Sequence, residues 1–353
     1  IGVFLSGGLD SSLITAATAK VSNCPVKTFT VSIPGSELDE SKYAQLIADA
    51  FNTEHHILPM EMPSLDQLDE LQSFIDEPIA DSSILPTFMV SRMIRKHVTV
   101  ALGGDGGDEL YGGYHHYQNA LRSQSYLGLI PISLLKSCGR LASILPAGTR
   151  GRNLISSLAG GPLQRNIWGT PYFDLTLRKR LLKKEVLEEL GDEIDAPERK
   201  SLALFQKGLD PIDKLTRMDF EQVLPDDFLV KVDRASMANS LEVRLPFLDH
   251  NIIEHAFKSI PSKQKVTIKE RRRVQNIMAK KYLPKKFELN RKQGFSIPIN
   301  EWMQNISLNE IIPKKENKYF NNDFINELII GQSQKKTNGS RLFSLIMLNK
   351  IEN

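Results

Sequence analysis

Two apolar runs in this sequence are typical of buried β-strands, and each leads into a glycine-rich loop that carries carboxylates. Residues 3–5 precede Ser-Gly-Gly-Leu-Asp-Ser at 6–11, and residues 98–102 precede Gly-Gly-Asp-Gly-Gly-Asp-Glu at 103–109. Ligands of open α/β sheets bind just beyond the carboxyl ends of the strands. The two loops are therefore predicted to face one crevice and to form its site.

Strand-like and helix-like segments alternate through the first third of the chain. Strands are predicted over residues 3–5, 26–33, 55–58 and 98–102, and helices over residues 12–21, 40–51 and 87–96. Asp39 is the predicted N-cap of the second helix. This alternation predicts an α/β fold with a doubly wound parallel sheet.

A change of pattern near residue 123 predicts two parts. Residues 1–122 are expected to form the α/β part, and residues 123–353 a mainly α-helical part. The given sequence begins with Ile1 and not with an initiator Met, and the first predicted strand starts only two residues later. We therefore expect residue 1 to be a boundary within a longer protein.

Composition excludes several classes of protein. The 353 residues are 41% hydrophobic and 25% charged, with a formal net charge of +3, so the chain is not a polycation suited to nucleic acid. No apolar stretch approaches the ~18–20 residues of a membrane span. The two cysteines, Cys24 and Cys138, lack a CxxC spacing. We expect a cytoplasmic protein without a nucleic-acid or membrane partner.

The first loop is a predicted anion cradle. Its small residues allow backbone N–H groups to close around an anion, the hydroxyls of Ser6 and Ser11 add donors, and the following helix begins with a favourable dipole. No Gly-Lys-Ser/Thr follows, so the loop is not a P-loop of the Walker type. A plain strand-to-helix turn is the alternative interpretation.

Asp10 and Asp108 both follow predicted strand ends. Two carboxylates at one crevice are suited to hold Mg²⁺ against the phosphates of a nucleotide. The alternative for Asp108 is a helix N-cap before the segment that starts at Glu109.

The first loop resembles the pyrophosphate loop of the N-type ATP pyrophosphatases, which split ATP to AMP and pyrophosphate. Residues 103–113 (GGDGGDELYGG), 226–249 (DDFLVKVDRASMANSLEVRLPFLD) and 290–298 (NRKQGFSIP) are similar to the synthetase domain of glutamine-dependent asparagine synthetases. The order and spacing of four stretches make this resemblance specific. It implies an adenine nucleotide alpha hydrolase-like fold and an ATP- and Mg²⁺-dependent ligase.

The resemblance also implies roles for individual residues. Asp105, where better-known members carry Glu, would orient or deprotonate the amine; one methylene less moves the carboxylate by about 1.5 Å, and a structural loop carboxylate is the alternative. Lys292 would stabilise charge during acyl transfer, and Lys269 would contact the leaving pyrophosphate. The rest of the basic run at residues 269–273 is read as a solvated face.

Further positions are assigned by similarity to the family. Those implied for ATP and pyrophosphate are Leu5, Ser6, Gly7, Gly8, Asp10, Ser11, Val31, Gly103 and Gly104, of which Leu5, Val31 and Gly104 would meet the adenine. Those implied for the surroundings of the substrate pocket are Asp233, Glu242 and Arg244, with buried ion pairs as the alternative.

The implied reaction is attack of a carboxylate on the α-phosphorus of ATP, followed by attack of ammonia on the acyl-adenylate. Aspartate is the leading acid, although Ser82 stands where some members carry an arginine for it. A sugar uronate, a peptide carboxyl group or β-lactam synthetase-like ring closure are alternatives. The ammonia would normally come from a glutaminase domain that residues 1–353 lack, and a homodimer is a further expectation.

Two rival functions agree less well with the sequence. An RNA-modifying adenylating enzyme would need a basic tract or an appended RNA module, which the sequence lacks. A non-catalytic ATP-binding subunit would have no need to retain Asp10, Asp105, Asp108, Lys269 and Lys292 together.

Overall fold

A computed structural model describes residues 1–33, 39–161, 163, 170, 172–205, 208–289, 297–304, 306–307 and 318–351. Contacts divide the chain into two compact units. The first comprises Ile1–Ile75, Ser83–His115 and Asp219–Ser296; the second comprises Asp76–Ser82, His116–Met218 and Ile297–Asn353.

The first unit is built on a five-stranded parallel sheet. Its strands are β1 (Gly2–Phe4), β2 (Lys27–Ser32), β3 (Glu54–Pro59), β4 (Val100–Leu102) and β5 (Glu242–Arg244), in the order β3-β2-β1-β4-β5. The predicted parallel α/β sheet is confirmed. Strand β5 was not predicted, because Glu242–Arg244 contains a single apolar residue between two charged ones.

Helices surround this sheet. They are α1 (Leu9–Val21), α2 (Ser41–Phe51), α3 (Leu65–Gln72), α4 (Ile84–Arg95) and α5 (Gly107–Tyr111), then a π-helix at Asp219–Leu229 and helices at Val230–Met237, His250–Lys258, Ser262–Lys265 and Arg273–Tyr282, with a 3₁₀ turn at Pro246–Leu248. Asp39 stands one residue before the N-cap Glu40, and its carboxylate accepts the Ser41 N–H at 2.8 Å.

Apolar clusters cover both faces of the sheet. Val3 packs in one cluster with Ile14 and Phe247, whereas the next residue, Phe4, packs against a second cluster that contains Phe29. Successive strand residues point to opposite faces. The sheet is therefore buried on both sides, as a doubly wound fold requires.

The second unit is mainly α-helical, as expected. Its helices are His115–Leu127, Ile132–Arg140, Arg152–Ser157, Leu175–Leu181, Lys184–Leu190, Ala196–Ala203, Pro211–Met218, Ile299–Gln304, Asn322–Ser333 and Gly339–Ile351, with 3₁₀ turns at Leu141–Ile144, Leu158–Gly160 and Gly191–Asp195. A buried ion pair between Arg152 and Asp174, 2.7 Å apart, lies within this unit.

The division of the chain differs from the linear boundary expected at residue 122. Asp219–Ser296 belongs with the sheet, since β5 pairs with β4. Within the described ranges no single helix is long and apolar enough to cross a membrane, although one bent pair, Gly107–Leu127 with Ile132–Ile144, meets the test by length and composition.

The strand order reverses next to β1. The chain proceeds from β1 outward to β2 and β3 on one side, and β4 and β5 lie on the other. Ligands of doubly wound sheets bind at such a switch point, beyond the carboxyl ends of the strands. The loops after β1 and β4 flank this point.

Candidate active site

The loop after β1 is closed by its own serine hydroxyls. Ser6 Oγ lies 3.0 Å from Ser11 Oγ and accepts the Gly8 N–H at 3.2 Å, while Ser11 Oγ donates to the Gly8 carbonyl at 3.2 Å. These contacts hold both hydroxyls at the start of α1. They are therefore positioned at a helix N-terminus, where an anion is favoured.

The backbone of this loop requires glycine. Gly7 has φ of +71°, and a β-carbon there would lie 2.6 Å from the backbone of Tyr43 and Ala44. Gly8 is the N-cap of α1, so no side chain caps the 13-residue helix. A bound phosphate would find first-turn N–H groups that no cap side chain occupies.

The loop after β4 is tied to β5 and leads into α5. The Gly103 N–H donates to the Arg244 carbonyl at 2.9 Å, and Gly106 adopts φ of +90° before α5 begins at Gly107. Asp108 therefore lies in the first turn of α5, not at its N-cap, so the N-cap alternative for Asp108 is wrong.

One guanidinium joins the two carboxylates that were predicted as metal ligands. Arg272 Nη2 lies 2.5 Å from Asp108 Oδ1 and 3.7 Å from Asp10 Oδ2, and Gln275 Nε2 donates to Asp10 Oδ1 at 2.5 Å. Burial alone would lower the pKa of Arg272, but the charges of Asp10 and Asp108 raise it above its ordinary value. Asp10 and Asp108 thus converge on one cation.

This geometry corrects the expectation for the basic run. Arg272 is only 6% exposed and does not lie on a solvated helix face, because it precedes the helix Arg273–Tyr282 as its N-cap. Gln275, one turn later, was also missed. Arg272 could not be recognised from the local sequence, since its neighbours Arg271 and Arg273 give the same signal. A single glutamine such as Gln275 gives no signal of its own.

A further acidic group, Glu109, lies in the first turn of α5 directly after Asp108. Glu109 is 1% exposed, and its carboxylate accepts the Tyr114 hydroxyl at 2.6 Å. Burial raises the pKa of Glu109 to about 7, the Tyr114 hydrogen bond opposes that rise, and the nearby charges of Asp108 and Asp219 add to it. Glu109 was missed in the sequence because it follows directly after the more prominent Asp108.

Replacement of Glu109 by Gln should remove a pH dependence of stability. The folded state raises the pKa from 4.5 to about 7, so it binds the proton more tightly than the unfolded chain does. The contribution of Glu109 to the free energy of unfolding is largest below about pH 4.5 and decreases as pH rises towards 7. Denaturant melts from pH 5 to 8, with EDTA present, should show a smaller decline in Glu109→Gln than in wild type. Equal declines would contradict the assignment.

Asp105 lies in the loop between β4 and α5, and its Oδ2 is close to Gly103. Burial raises the pKa of Asp105, and the charge of Lys231 opposes part of that rise. Lys231 is itself 8% exposed, with Nζ 4.7 Å from the centre of the Phe228 ring. A lysine in the helix Val230–Met237 is thus the electrostatic partner of Asp105, which was not predicted.

The remaining nucleotide positions lie at strand ends. Leu5 is buried directly after β1; its N–H donates to the Phe29 carbonyl at 2.8 Å and its carbonyl accepts from Thr30. Val31 is partly buried in β2, and a β-carbon at Gly104 would lie 3.1 Å from the Asp10 side chain. The assignment of these three to adenine stays a prediction.

Of the two lysines predicted to act in catalysis, only Lys269 lies within the described residues. Lys269 is exposed, and its N–H donates to Thr267 Oγ1 at 3.3 Å. Lys292 lies outside the described residues. Their catalytic roles stay predictions.

The residues assigned to the pocket surroundings are exposed. Asp233 pairs with Arg234 at 3.5 Å, with 62% of its side chain exposed, and Arg244 pairs with Glu242 at 2.7 Å, with 62% and 53% exposed. The alternative of buried ion pairs is wrong for these residues. Their role near the substrate stays a prediction.

The adjacent histidines of β3 make packing and hydrogen-bond contacts within the sheet. His55 Nδ1 is 2.9 Å from Thr28 Oγ1, and the His56 ring stacks on Phe29 with centroids 5.1 Å apart.

The donor set at the switch point suits Mg²⁺. The carboxylates of Asp10 and Asp108 are close enough to share one cation, and hard oxygen ligands are those that Mg²⁺ prefers. Across the described ranges no group of three or more His, Cys, Asp or Glu side chains could hold a metal. Two carboxylates with ligand phosphates are the usual way in which a protein holds Mg²⁺ for phosphate chemistry.

Known proteins resemble this chain over nearly its whole length. The family described as asparagine synthase matches residues 1–351. "Asparagine synthetase [glutamine-hydrolyzing] 1" of Bacillus subtilis (strain 168) is 31% identical over 99% of this chain and 55% of its own length. A "Putative asparagine synthetase [glutamine-hydrolyzing]" of Mycobacterium bovis is 32% identical over 86% of this chain and 46% of its own.

A third relative matches a smaller share of the chain. "Putative asparagine synthetase [glutamine-hydrolyzing] 2" of Methanocaldococcus jannaschii is 30% identical over 70% of this chain and 47% of its own length. The chain spans about half the length of these curated relatives. With the parallel sheet, the two loops and a family match that covers residues 1–351, the chain belongs to the asparagine synthase family.

Proposed function

We propose that this chain is an ATP-dependent carbon–nitrogen ligase that converts a carboxylate, with aspartate favoured, into its amide through an acyl-adenylate. The observation that carries the proposal is the convergence of Asp10 and Asp108 on one cation beside the Ser6–Ser11 hydroxyl pair. This combination supports a metal site and an anion cradle at one switch point of the sheet, which stay predictions.

The first step requires positioned phosphates. The hydroxyls of Ser6 and Ser11 and the N-terminus of α1 would bind the β- and γ-phosphates, and Asp10 and Asp108 would hold Mg²⁺, which supplies neutralisation of phosphate charge when bound. Lys269 would meet the leaving pyrophosphate. The substrate carboxylate then attacks the α-phosphorus, and pyrophosphate leaves.

The second step requires an amine that has lost its proton. Asp105, whose pKa is raised by burial against the opposing charge of Lys231, would accept a proton as ammonia attacks the activated carbonyl. Lys292 would stabilise the negative charge of that step. The amide and AMP then leave.

An ATP–pyrophosphate exchange screen tests the reaction and identifies the acid. Exchange of labelled pyrophosphate into ATP occurs only with an acid that the chain adenylates. We expect exchange with aspartate. Exchange with a uronate, a peptide carboxyl group or an amino acid that closes its own ring would change the substrate but keep the reaction class. Absence of exchange with every acid would contradict the proposal.

The nitrogen source is expected to be ammonia. Both cysteines are free; Cys24 is exposed in a turn with Ser22 Oγ 3.7 Å from its Sγ, and Cys138 lies in the helix Ile132–Arg140. The relatives named above are described as glutamine-hydrolyzing, and this chain spans about half their length. We infer that a glutaminase domain supplies ammonia in the cell, and that the reaction is cytoplasmic.

This inference predicts the nitrogen dependence of the isolated chain. Amide formation should proceed with ammonium salts and rise with pH as ammonium loses its proton. Glutamine should yield no amide at any concentration. Release of glutamate from glutamine by purified chain, with contaminating glutaminase excluded by a Cys24→Ala, Cys138→Ala double variant, would contradict it if the double variant lost the release.

A further inference from the structure

Arg272 occupies the point on which both candidate metal ligands converge. Its Nη2 is 2.5 Å from Asp108 Oδ1 and 3.7 Å from Asp10 Oδ2, and the residue is 6% exposed. Its Nε is also buried, without a hydrogen-bond partner among the described atoms. The backbone is left-handed, with φ of +53°, which is uncommon for arginine. The surrounding contacts therefore impose this position.

The contact is packed into the structure. A β-carbon at Gly113 would lie 1.5 Å from Asp108 Oδ1 and 2.8 Å from Arg272 Nε, so only a glycine allows the pair to lie against this backbone. Gln275 fixes Asp10 Oδ1 from the other side at 2.5 Å. Asp10 would consequently stay in place when the guanidinium leaves.

A guanidinium at this position competes with Mg²⁺ for these oxygens. Mg²⁺ binds carboxylate oxygens at about 2.0–2.1 Å with near-octahedral geometry. A second cation held 2.5 Å from the same Asp108 oxygen would lie within a few ångströms of the metal, where like charges repel strongly in a partly buried site. Binding of one cation therefore disfavours binding of the other.

We propose that Arg272 is an internal counter-ion that excludes free Mg²⁺ from Asp10 and Asp108 and gives way only to Mg²⁺ that arrives with a nucleotide. The nucleotide phosphates supply negative charge for the displaced guanidinium, which would otherwise remain a buried positive charge without a counter-charge. Metal and nucleotide thus bind with positive coupling. This inference rests on the proposed function for the identity of the nucleotide, ATP.

Mn²⁺ binding, followed by electron paramagnetic resonance of free Mn²⁺, tests the exclusion without turnover. Wild type alone should bind Mn²⁺ weakly. Arg272→Gln should bind it at least about tenfold more tightly, since the guanidinium no longer competes with the metal for the two carboxylates. The matched control is Arg273→Gln, because Arg273 pairs with the exposed Glu270 at 3.2 Å and should leave Mn²⁺ affinity unchanged. The double variant Arg272→Gln, Asp108→Asn should lose the gain.

A measurement on wild type alone covers the case in which Arg272→Gln does not fold. In wild type, a non-hydrolysable ATP analogue should raise the Mn²⁺ affinity at the protein beyond the affinity of the analogue itself for Mn²⁺. Tight Mn²⁺ binding by wild type without nucleotide would overturn the proposal and leave the ligase function untouched. Strong coupling between Mn²⁺ and nucleotide binding, without ATP–pyrophosphate exchange for any acid, would instead reject the ligase function. The role of Arg272 as an internal counter-ion would then stand.

Discussion

Asp108→Asn and Asp10→Asn should each lower the rate of ATP–pyrophosphate exchange by at least about a hundredfold. The amide oxygen of asparagine is a poorer metal ligand than a carboxylate, and each variant removes one of two charges that converge on a single cation. Exchange with saturating acid and Mg-ATP measures the adenylation step directly.

The controls separate the site from the fold. Asp66→Asn removes an exposed carboxylate in the first turn of α3 and should keep wild-type exchange. Removal of one partner of the buried Arg272 pair costs about 3–5 kcal/mol in comparable proteins, so thermal melts must show that both variants are folded at the assay temperature. Folded variants with wild-type exchange would remove Asp10 and Asp108 from the metal site.

Asp105→Asn should separate the two half-reactions. Exchange should stay within a few fold of wild type, whereas amide formation should fall by about 10²–10⁴, the usual contribution of a positioned general base. The reason is that Asp105 takes part only when the amine attacks. Quantifying exchange and amide product in the same preparation checks this prediction.

Asp105→Glu is the matched variant, because it restores the longer carboxylate of better-known family members and keeps the charge beside Lys231. It should retain most of the amide-forming activity. A structural loop carboxylate would behave otherwise: the Asn variant would then lose exchange and thermal stability together. An equal loss of exchange and of amide formation in Asp105→Asn would reject the role of Asp105 as a general base.

Local patterns were enough to predict the sheet and its main helices. Strands β1, β2 and β3 and helices α1, α2 and α4 lie within three residues of their predicted bounds. Apolar runs that end at glycine are a strong local signal. The three-residue β5 carries no such signal and forms because β4 offers it a partner edge.

The basic run at residues 269–273 marks the limit of local reasoning. All its arginines look alike in the sequence, yet Arg272 is buried on Asp10 and Asp108 while Arg273 pairs with exposed Glu270. The difference arises because residue 272 takes a left-handed conformation just before a helix, which directs its side chain inward. A charge pattern does not encode that conformation.

The sequence by itself determined the family, the parallel α/β architecture and the two loops, since these follow from contiguous motifs and from the order of strands and helices. Only the tertiary structure decided which distant residues meet there. Arg272 and Gln275 reach Asp10 across more than 260 positions, and Lys231 becomes the partner of Asp105, because the segment Asp219–Ser296 folds back onto the sheet. Such contacts depend on burial and chain reversal, which no local pattern records.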